Sequence, residues 1–247
     1  MPRFHCFHPE NISDQAGELS LVPEESHHLV RVLRASGGDE VCLLNGDGIL
    51  AEGVLISANP CSALVRVSQV LKRRPEFPRL KLAVGMPKGR TVDKVVRQAT
   101  ELGVSEICFF KCERSEVPKK LLQSTEKLNK WKRIAIEACK QSQNPFLPKL
   151  HVGGTLFEWL ESLDLSNVHF IGHPQSKVGV PGFRELSKGQ ETVWLLVGPE
   201  GGFTDRELES VLNHDGFQAV NLGTTILRVE TACVTMIAMA RVLFRSG

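Results

Sequence analysis

Three segments of this chain place glycine and polar residues directly after apolar runs. They are Ile171-Gly172-His173-Pro174, Leu196-Val197-Gly198-Pro199-Glu200-Gly201-Gly202-Phe203, and Leu222-Gly223-Thr224-Thr225-Ile226-Leu227-Arg228, the last running on into Glu230-Thr231. Glycine lets a ligand approach the backbone closely, so the N–H and C=O groups of such turns can read a heterocycle edge without charged side chains. A phosphate cradle fits worse. No G-x-G-x-x-G follows a strand and no G-x-x-x-x-G-K-[ST] occurs. Glu200 would repel a pyrophosphate and tolerate a cation. Taken singly, each segment also reads as an ordinary tight turn. Of the seven cysteines the closest pair is Cys108 and Cys112, and no C-x-x-C exists. Reduced, mostly buried thiols are therefore expected, with no metal site and no disulfide framework.

The elements that would position these segments follow from periodicity. Residues 80–85, 104–110, 168–172, 193–197 and 219–222 read as buried strands. Val92, Val95, Val96, Ala99 and Leu102 recur at helical spacing over 91–102, with Gly103 where a C-terminal cap belongs. Leu128, Trp131, Ile134, Ala135 and Ala138 mark a helix over 127–141. Further helices are expected over 205–213, capped from Thr204-Asp205, and over 231–244. Such alternation predicts an α/β domain with a mainly parallel sheet, whose ligands bind beyond the carboxyl ends of the strands.

The N-terminal part reads differently. Residues 41–44 and 49–56 flank Asn45-Gly46-Asp47-Gly48 as a β-hairpin, and 63–71 alternates as a strand. A short helix over 23–35 would turn Leu29, Val32 and Leu33 inward and leave Arg31 and Arg34 at the surface. Lys72-Arg73-Arg74-Pro75-Glu76-Phe77-Pro78 reads as the linker, dividing the chain into domains 1–73 and 74–247.

A hydrophobic fraction of 42% and a charged fraction of 23% are those of a folded globular chain. No apolar run reaches the roughly 18 residues of a membrane helix, and residues 1–6 lack the apolar segment of a secretory signal. A cytoplasmic protein without a membrane partner is expected. Residues 75–150 hold 16 basic against 8 acidic residues, a net +8, whereas the flanking segments are net −2 and −4. Localised positive charge fits a nucleic-acid partner, and equally a lysine-rich solvated helix face.

Together the motifs are more specific than any one of them. L-L-V-G-P-E-G-G-F (195–203), L-G-x-x-I-L-R-x-E-T-A (222–232) and K-G-x-x-x-D-K-x-x-x-x-A-x-E-L-G-V (88–104), with His27-His28-Leu29-Val30-Arg31-Val32-Leu33-Arg34 and Ile134-Ala135-Ile136-Glu137-Ala138-Cys139-Lys140-Gln141, resemble the ribosomal RNA small-subunit methyltransferase E family of the knotted SPOUT superfamily. The resemblance spans nearly the whole chain. It implies a mainly parallel sheet with helices on both faces, closed by a deep C-terminal trefoil knot and preceded by a small PUA-like β-barrel that contacts RNA. It also implies S-adenosylmethionine as cofactor, a homodimer paired through the knot helices, and 3-methyluridine formation in 16S ribosomal RNA of the small subunit, without a metal.

Carried over by position, the resemblance puts Gly172, His173, Val197, Gly198, Pro199, Glu200, Gly201, Gly202, Leu222, Gly223 and Leu227 around the cofactor. Arg228 would stabilise the uracil anion formed when the ring nitrogen loses its proton; a structural pair with Glu230 is the other reading. Glu230 would be the general base, or else a first-turn acid beside Thr231 as helix cap. RNA would meet Arg3, Arg31, Arg34, Lys88, Arg90, Lys94 and Arg114. After Gln141, relatives commonly have a small residue, glycine and arginine, where this chain has Ser142-Gln143-Asn144-Pro145. A basic contact is missing there, for which Lys140 or Lys149 would compensate. Other readings are a knotted methyltransferase acting on another base, a non-catalytic RNA-binding module, and a nucleotide-dependent oxidoreductase.

Overall fold

The structure, a computed structural model, describes residues 4–10, 12, 17–118, 124–163, 168–174, 176, 189–214 and 216–244. Two compact units emerge: residues 1–75 with 136–147, and residues 76–135 with 148–247.

In the first unit β1 (Phe4–Phe7), β2 (Gly17–Ser20), β3 (Glu40–Leu44), β4 (Ile49–Ser57) and β5 (Leu64–Lys72) form one sheet of order β1-β3-β4-β5-β2. Only the β1–β3 pair is parallel. The β3–β4 turn is built as its residues demand. The Asn45 Oδ1 accepts the N–H groups of Asp47 and Ile49, and Gly46 and Gly48 take φ of 82° and 91°. Cys6, Leu29, Leu43, Leu55 and Val65 are buried in one core.

The expected helix over 23–35 is shorter than its pattern. Helix α1 (Pro23–His27) passes into a single π turn (His28–Val32). Widening the turn shifts the facing of later side chains. Leu29 is buried as expected, but Val32 is 58% and Leu33 38% exposed, so these two do not face the core. Arg31 and Arg34 are exposed, and Arg34 takes a φ of 58°. The side of α1 that turns inward carries Glu25. Its carboxylate accepts the Phe7 N–H (3.0 Å) and the Lys140 ammonium (2.9 Å).

The second unit is a six-stranded sheet of order β11-β9-β10-β6-β7-β8, parallel throughout. Its strands are β6 (Arg79–Gly85), β7 (Glu106–Lys111), β8 (Lys149–Thr155), β9 (His169–Gly172), β10 (Thr192–Val197) and β11 (Phe217–Val220). β6 and β10 lie centrally, and their apolar runs over 82–84 and 193–197 are buried on both faces.

Helices cover both faces. On one, α4 (Leu156–Glu161) and α5 (Asp205–Leu212) supply Leu156, Trp159, Leu160 and Val211 to a core with Ala83, Phe110, Ile171 and Leu196. Side chains alternate along a strand, so Gly172 faces the opposite side from Ile171. A Cβ there would meet Met236 of α6 (Val229–Phe244) at 3.1 Å, which sets α6 on the other face. Helix α2 (Thr91–Glu101) packs against α6. Its end is a Schellman motif: Gly103, φ 74°, donates to the Thr100 carbonyl and Val104 to that of Ala99. The Arg241 guanidinium donates to the Leu102 and Gly103 carbonyls.

Helix α3 (Thr125–Ser142) packs Trp131 against Phe109. At its end Gln143 takes a φ of 57°, the left-handed region that favours glycine. Lys140 cannot stand in for the missing basic contact. It is 3% exposed and paired with Glu25 and Glu137. Six cysteines are buried and Cys61 is exposed. Burial pushes the Cys108 and Cys139 thiols up to about 12, far from a reactive thiolate. Among the described residues no helix is long and apolar enough to cross a membrane.

Candidate active site

The three glycine-bearing segments converge. β9, β10 and β11 are neighbours, and the loops beyond their carboxyl ends wall a pocket of about 650 Å³, within the usual range for a cofactor site. Of the residues expected around a cofactor, Gly172, His173, Val197, Gly198, Pro199, Glu200, Gly202, Leu222, Gly223 and Leu227 line it. Gly201 does not. It lies behind the wall, where a Cβ would meet Arg114 at 3.0 Å.

Each loop is held by bonds that its sequence explains. The second begins with Gly198, whose missing side chain leaves room for the Phe203 ring, and Gly202 (φ 68°) closes a turn onto the Pro199 carbonyl. Thr204 caps α5 in a full capping box with Glu207. Glu207 is 1% exposed, and its second oxygen accepts the Glu113 N–H at 2.8 Å. The Arg114 guanidinium donates to the Gly201 and Phe203 carbonyls at 3.3 and 3.0 Å. Glu200 accepts the Lys88 N–H at 3.0 Å, while the Lys88 ammonium pairs with Glu116.

The first and third loops are laced together. His173 donates its N–H to Val220 O, and the Asn221 amide donates to Pro174 O and Ser176 O while accepting the Gly223 N–H. Gly223 has a φ of 132°. The Asn221 brace and the second bond of Glu207, to the Glu113 N–H, escape sequence reasoning, because no motif joins these residues to their distant partners.

Arg228 and Glu230 both line the pocket. Arg228 and Glu230, paired in the other reading of Arg228, form no hydrogen bond or ion pair with each other, although the Arg228 charge helps to stabilise the Glu230 carboxylate. Glu230 bonds Lys94 at 3.1 Å, and among the described residues Arg228 makes no ion pair or side-chain hydrogen bond. The hydrogen bond from its own backbone N–H and the Lys94 ammonium hold the Glu230 carboxyl below the usual carboxylate range. Thr231 is not the cap of α6. The helix starts at Val229, and Thr231 lies within its first turn, its carbonyl accepting the Thr235 hydroxyl.

Of the cations expected to meet RNA, Lys94 also lines the pocket, through the first turn of α2. Lys88 and Arg90 immediately precede that helix, and both are exposed. Arg31 and Arg34 belong to the first unit, and Arg3 lies outside the described residues.

The donor set suits a ligand with a heterocycle and mixed charge. The walls are apolar at Val197, Phe203, Leu222 and Leu227, the backbone is bare at Gly202 and Gly223, and carboxylates and cations share the lining.

A parallel α/β sheet with such a pocket at its strand ends is the arrangement of a ligand-binding α/β domain, and the family it matches is that of RNA methyltransferases. Residues 75–241 match the RNA methyltransferase domain family and residues 23–68 the RNA methyltransferase PUA domain family. The chain is 31% identical over 228 residues to ribosomal RNA small subunit methyltransferase E of Bacillus subtilis, covering 89% of this chain and 88% of that one. It is 31% identical over 245 residues to the protein of that name from Synechocystis, covering 96% and 77%. A Neisseria gonorrhoeae ribosomal RNA small subunit methyltransferase E bound to S-adenosyl methionine superposes with a TM-score of 0.87 at 27% identity, over 99% of this chain and 98% of that one. A Legionella pneumophila methyltransferase in complex with the same cofactor gives 0.86 at 28%, over 97% of each. This chain belongs to the ribosomal RNA small subunit methyltransferase E family.

Proposed function

We propose that the protein is an S-adenosylmethionine-dependent methyltransferase acting on ring nitrogen 3 of a uridine in 16S ribosomal RNA. The observation that carries this is the glycine-walled pocket at three adjacent parallel-strand ends, with Arg228 at its lining, in a chain of this family. Two solved relatives hold that cofactor. When bound, it supplies an electrophilic methyl group and departs as a neutral thioether.

The chain's own residues do the rest. Val197, Pro199, Phe203, Leu222 and Leu227 exclude water, and the open backbone at Gly202 and Gly223 admits the ligand closely. Uridine N3 carries a proton and attacks only once that proton is lost. The Arg228 guanidinium, which makes no side-chain hydrogen bond or ion pair with a described residue and is only attracted through space by Glu230, stabilises charge on a flanking carbonyl oxygen. We assign residues 1–73 to RNA binding in a PUA-like domain and 74–247 to catalysis, with a C-terminal trefoil knot and a homodimer paired through the helices that follow the knot loops. Arg3, Arg31, Arg34, Lys88, Arg90 and Lys94 approach the RNA. The setting is the cytoplasm, where the small subunit is assembled.

Mass-spectrometric mapping of 16S ribosomal RNA from a strain lacking the protein tests the reading: one methyluridine disappears and the wild-type gene restores it. A modification profile that does not change sinks it. Arg228→Ala should lower kcat by about 100-fold or more with cofactor affinity within a few-fold. If turnover persists, the role given to Arg228 is wrong.

A further inference from the structure

We infer that Lys94 is a second catalytic cation, held by Glu230 so that it stabilises one uracil carbonyl while Arg228 serves the other. This rests on the methyluridine reading above and deepens it.

The argument begins with the base. N3 of uracil lies between two carbonyls, and once its proton has left to solvent the negative charge spreads over N3 and both oxygens. The N3 lone pair lies in the ring plane and must point at the incoming methyl group. One cation placed across N3 would therefore block the reaction. Stabilisation has to come from the two flanks, from two groups on separate supports. The pocket offers that arrangement: Arg228 enters from the start of α6 and Lys94 from the first turn of α2, two helices that pack on each other.

Glu230 sets the position of Lys94. Its Oε1 lies 3.1 Å from the Lys94 Nζ, with the glutamate side chain 16% exposed and the lysine side chain 55% exposed. The carboxylate is anchored and the ammonium at the open end keeps donors to offer a ligand. With its own backbone N–H and Lys94 both bonded to it, Glu230 is a poor proton acceptor. That favours a positioning role over a general base. The other ionisable groups lining the pocket are His173, Glu200 and Arg228. Asp93, next to Lys94, is engaged elsewhere, accepting from Lys130 and from the Trp131 indole. Glu230 is thus the carboxylate that fixes the lysine.

The test uses the full-length protein and a 16S fragment containing the mapped uridine. Lys94→Met should lower kcat by about 100-fold with KM for RNA and for cofactor within a few-fold, and should move the rising limb of the pH–rate profile to higher pH. Lys94→Arg should recover part of the rate. Glu230→Gln, which keeps the ammonium but loosens it, should give an intermediate loss, and it decides the matter if Lys94→Met fails to fold. A readout without turnover uses the same RNA carrying 5-fluorouridine, whose N3 is more acidic. Without cofactor, the wild type should bind this RNA about tenfold tighter as pH rises through the base's ionisation, and Lys94→Met should lose that gain. A Lys94→Met enzyme with intact kcat and only a raised KM for RNA overturns the proposal and makes Lys94 an ordinary phosphate contact. A wild type that forms no methyluridine sinks instead the reading on which the proposal rests.

Discussion

Single residues decide whether the pocket stays open, and the glycines decide it most sharply. At Gly172 a Cβ would stand 3.1 Å from the Met236 sulfur and 3.2 Å from a Leu222 methyl. Both neighbours border the pocket, Leu222 in its lining and Met236 on the helix behind it. Gly172→Val should therefore push Leu222 inward. Overpacking of this kind costs about 1–3 kcal/mol. We expect cofactor affinity to fall at least about tenfold, with a smaller drop in Tm, which calorimetric titration and a thermal melt would separate. Unchanged affinity would mean that Met236 yields away from the pocket. The glycines themselves were legible as a set of three, since any one of them after an apolar run also reads as an ordinary tight turn. The collisions that require them were not, since Met236 lies 64 positions along the chain and carries no motif.

Elements were legible where burial is complete. β6 and β10 announce themselves by apolar runs over 82–84 and 193–197, buried on both faces. β8 at the sheet edge does not: its half-exposed Lys149–Thr155 run includes Gly153-Gly154, and neither it nor α4 was expected. α1 misled for another reason. Its apolar spacing is helical, but a π turn at His28–Val32 changes which residues face inward, and the inner side carries a carboxylate. That carboxylate has an energetic consequence. Glu25 and Lys140 are both buried, and Glu25 also accepts the Phe7 N–H. Burial alone would pull the Lys140 ammonium's pKa down, yet hydrogen bonds to Glu137 and Glu25 hold it above its ordinary value. Removing one partner of such a pair strands the other, at about 3–5 kcal/mol. Lys140→Met should show that loss in urea denaturation at neutral pH. The double variant Glu25→Gln/Lys140→Met should be milder than the single one. Because the folded pKa of Lys140 is raised, its contribution is complete below its unfolded value near 10.5 and fades as pH rises through the folded value. A Lys140→Met variant as stable as wild type would show that water reaches the pair.

For the whole molecule the governing quantity is the distribution of charge. A net +2 gives no hint of a polyanionic partner, whereas the net +8 of residues 75–150 does, and its cations do different work. Lys130 is bonded to Asp93, Lys140 is buried, and Arg114 braces the Gly201 and Phe203 carbonyls. Lys88 and Arg90 stand exposed beside the pocket-lining turn of α2. Binding to a single-stranded target releases about 0.7 counterion per phosphate contacted. Four to six such contacts give a slope of roughly −3 to −4 for log K against log salt concentration. Individual variants then sort the cations. Arg90→Ala should reduce the slope by about 0.7. Arg114→Ala should leave it nearly unchanged and weaken cofactor binding instead, because the loop it supports is the pocket wall. Lys94→Met should also spare the slope, if its ammonium faces a base. Fluorescence anisotropy across a salt series gives all three values. A flat response in the wild type would mean that the basic segment serves the fold alone, and equal losses of slope for Arg90, Arg114 and Lys94 would mean that all three meet phosphates and none is committed to the pocket.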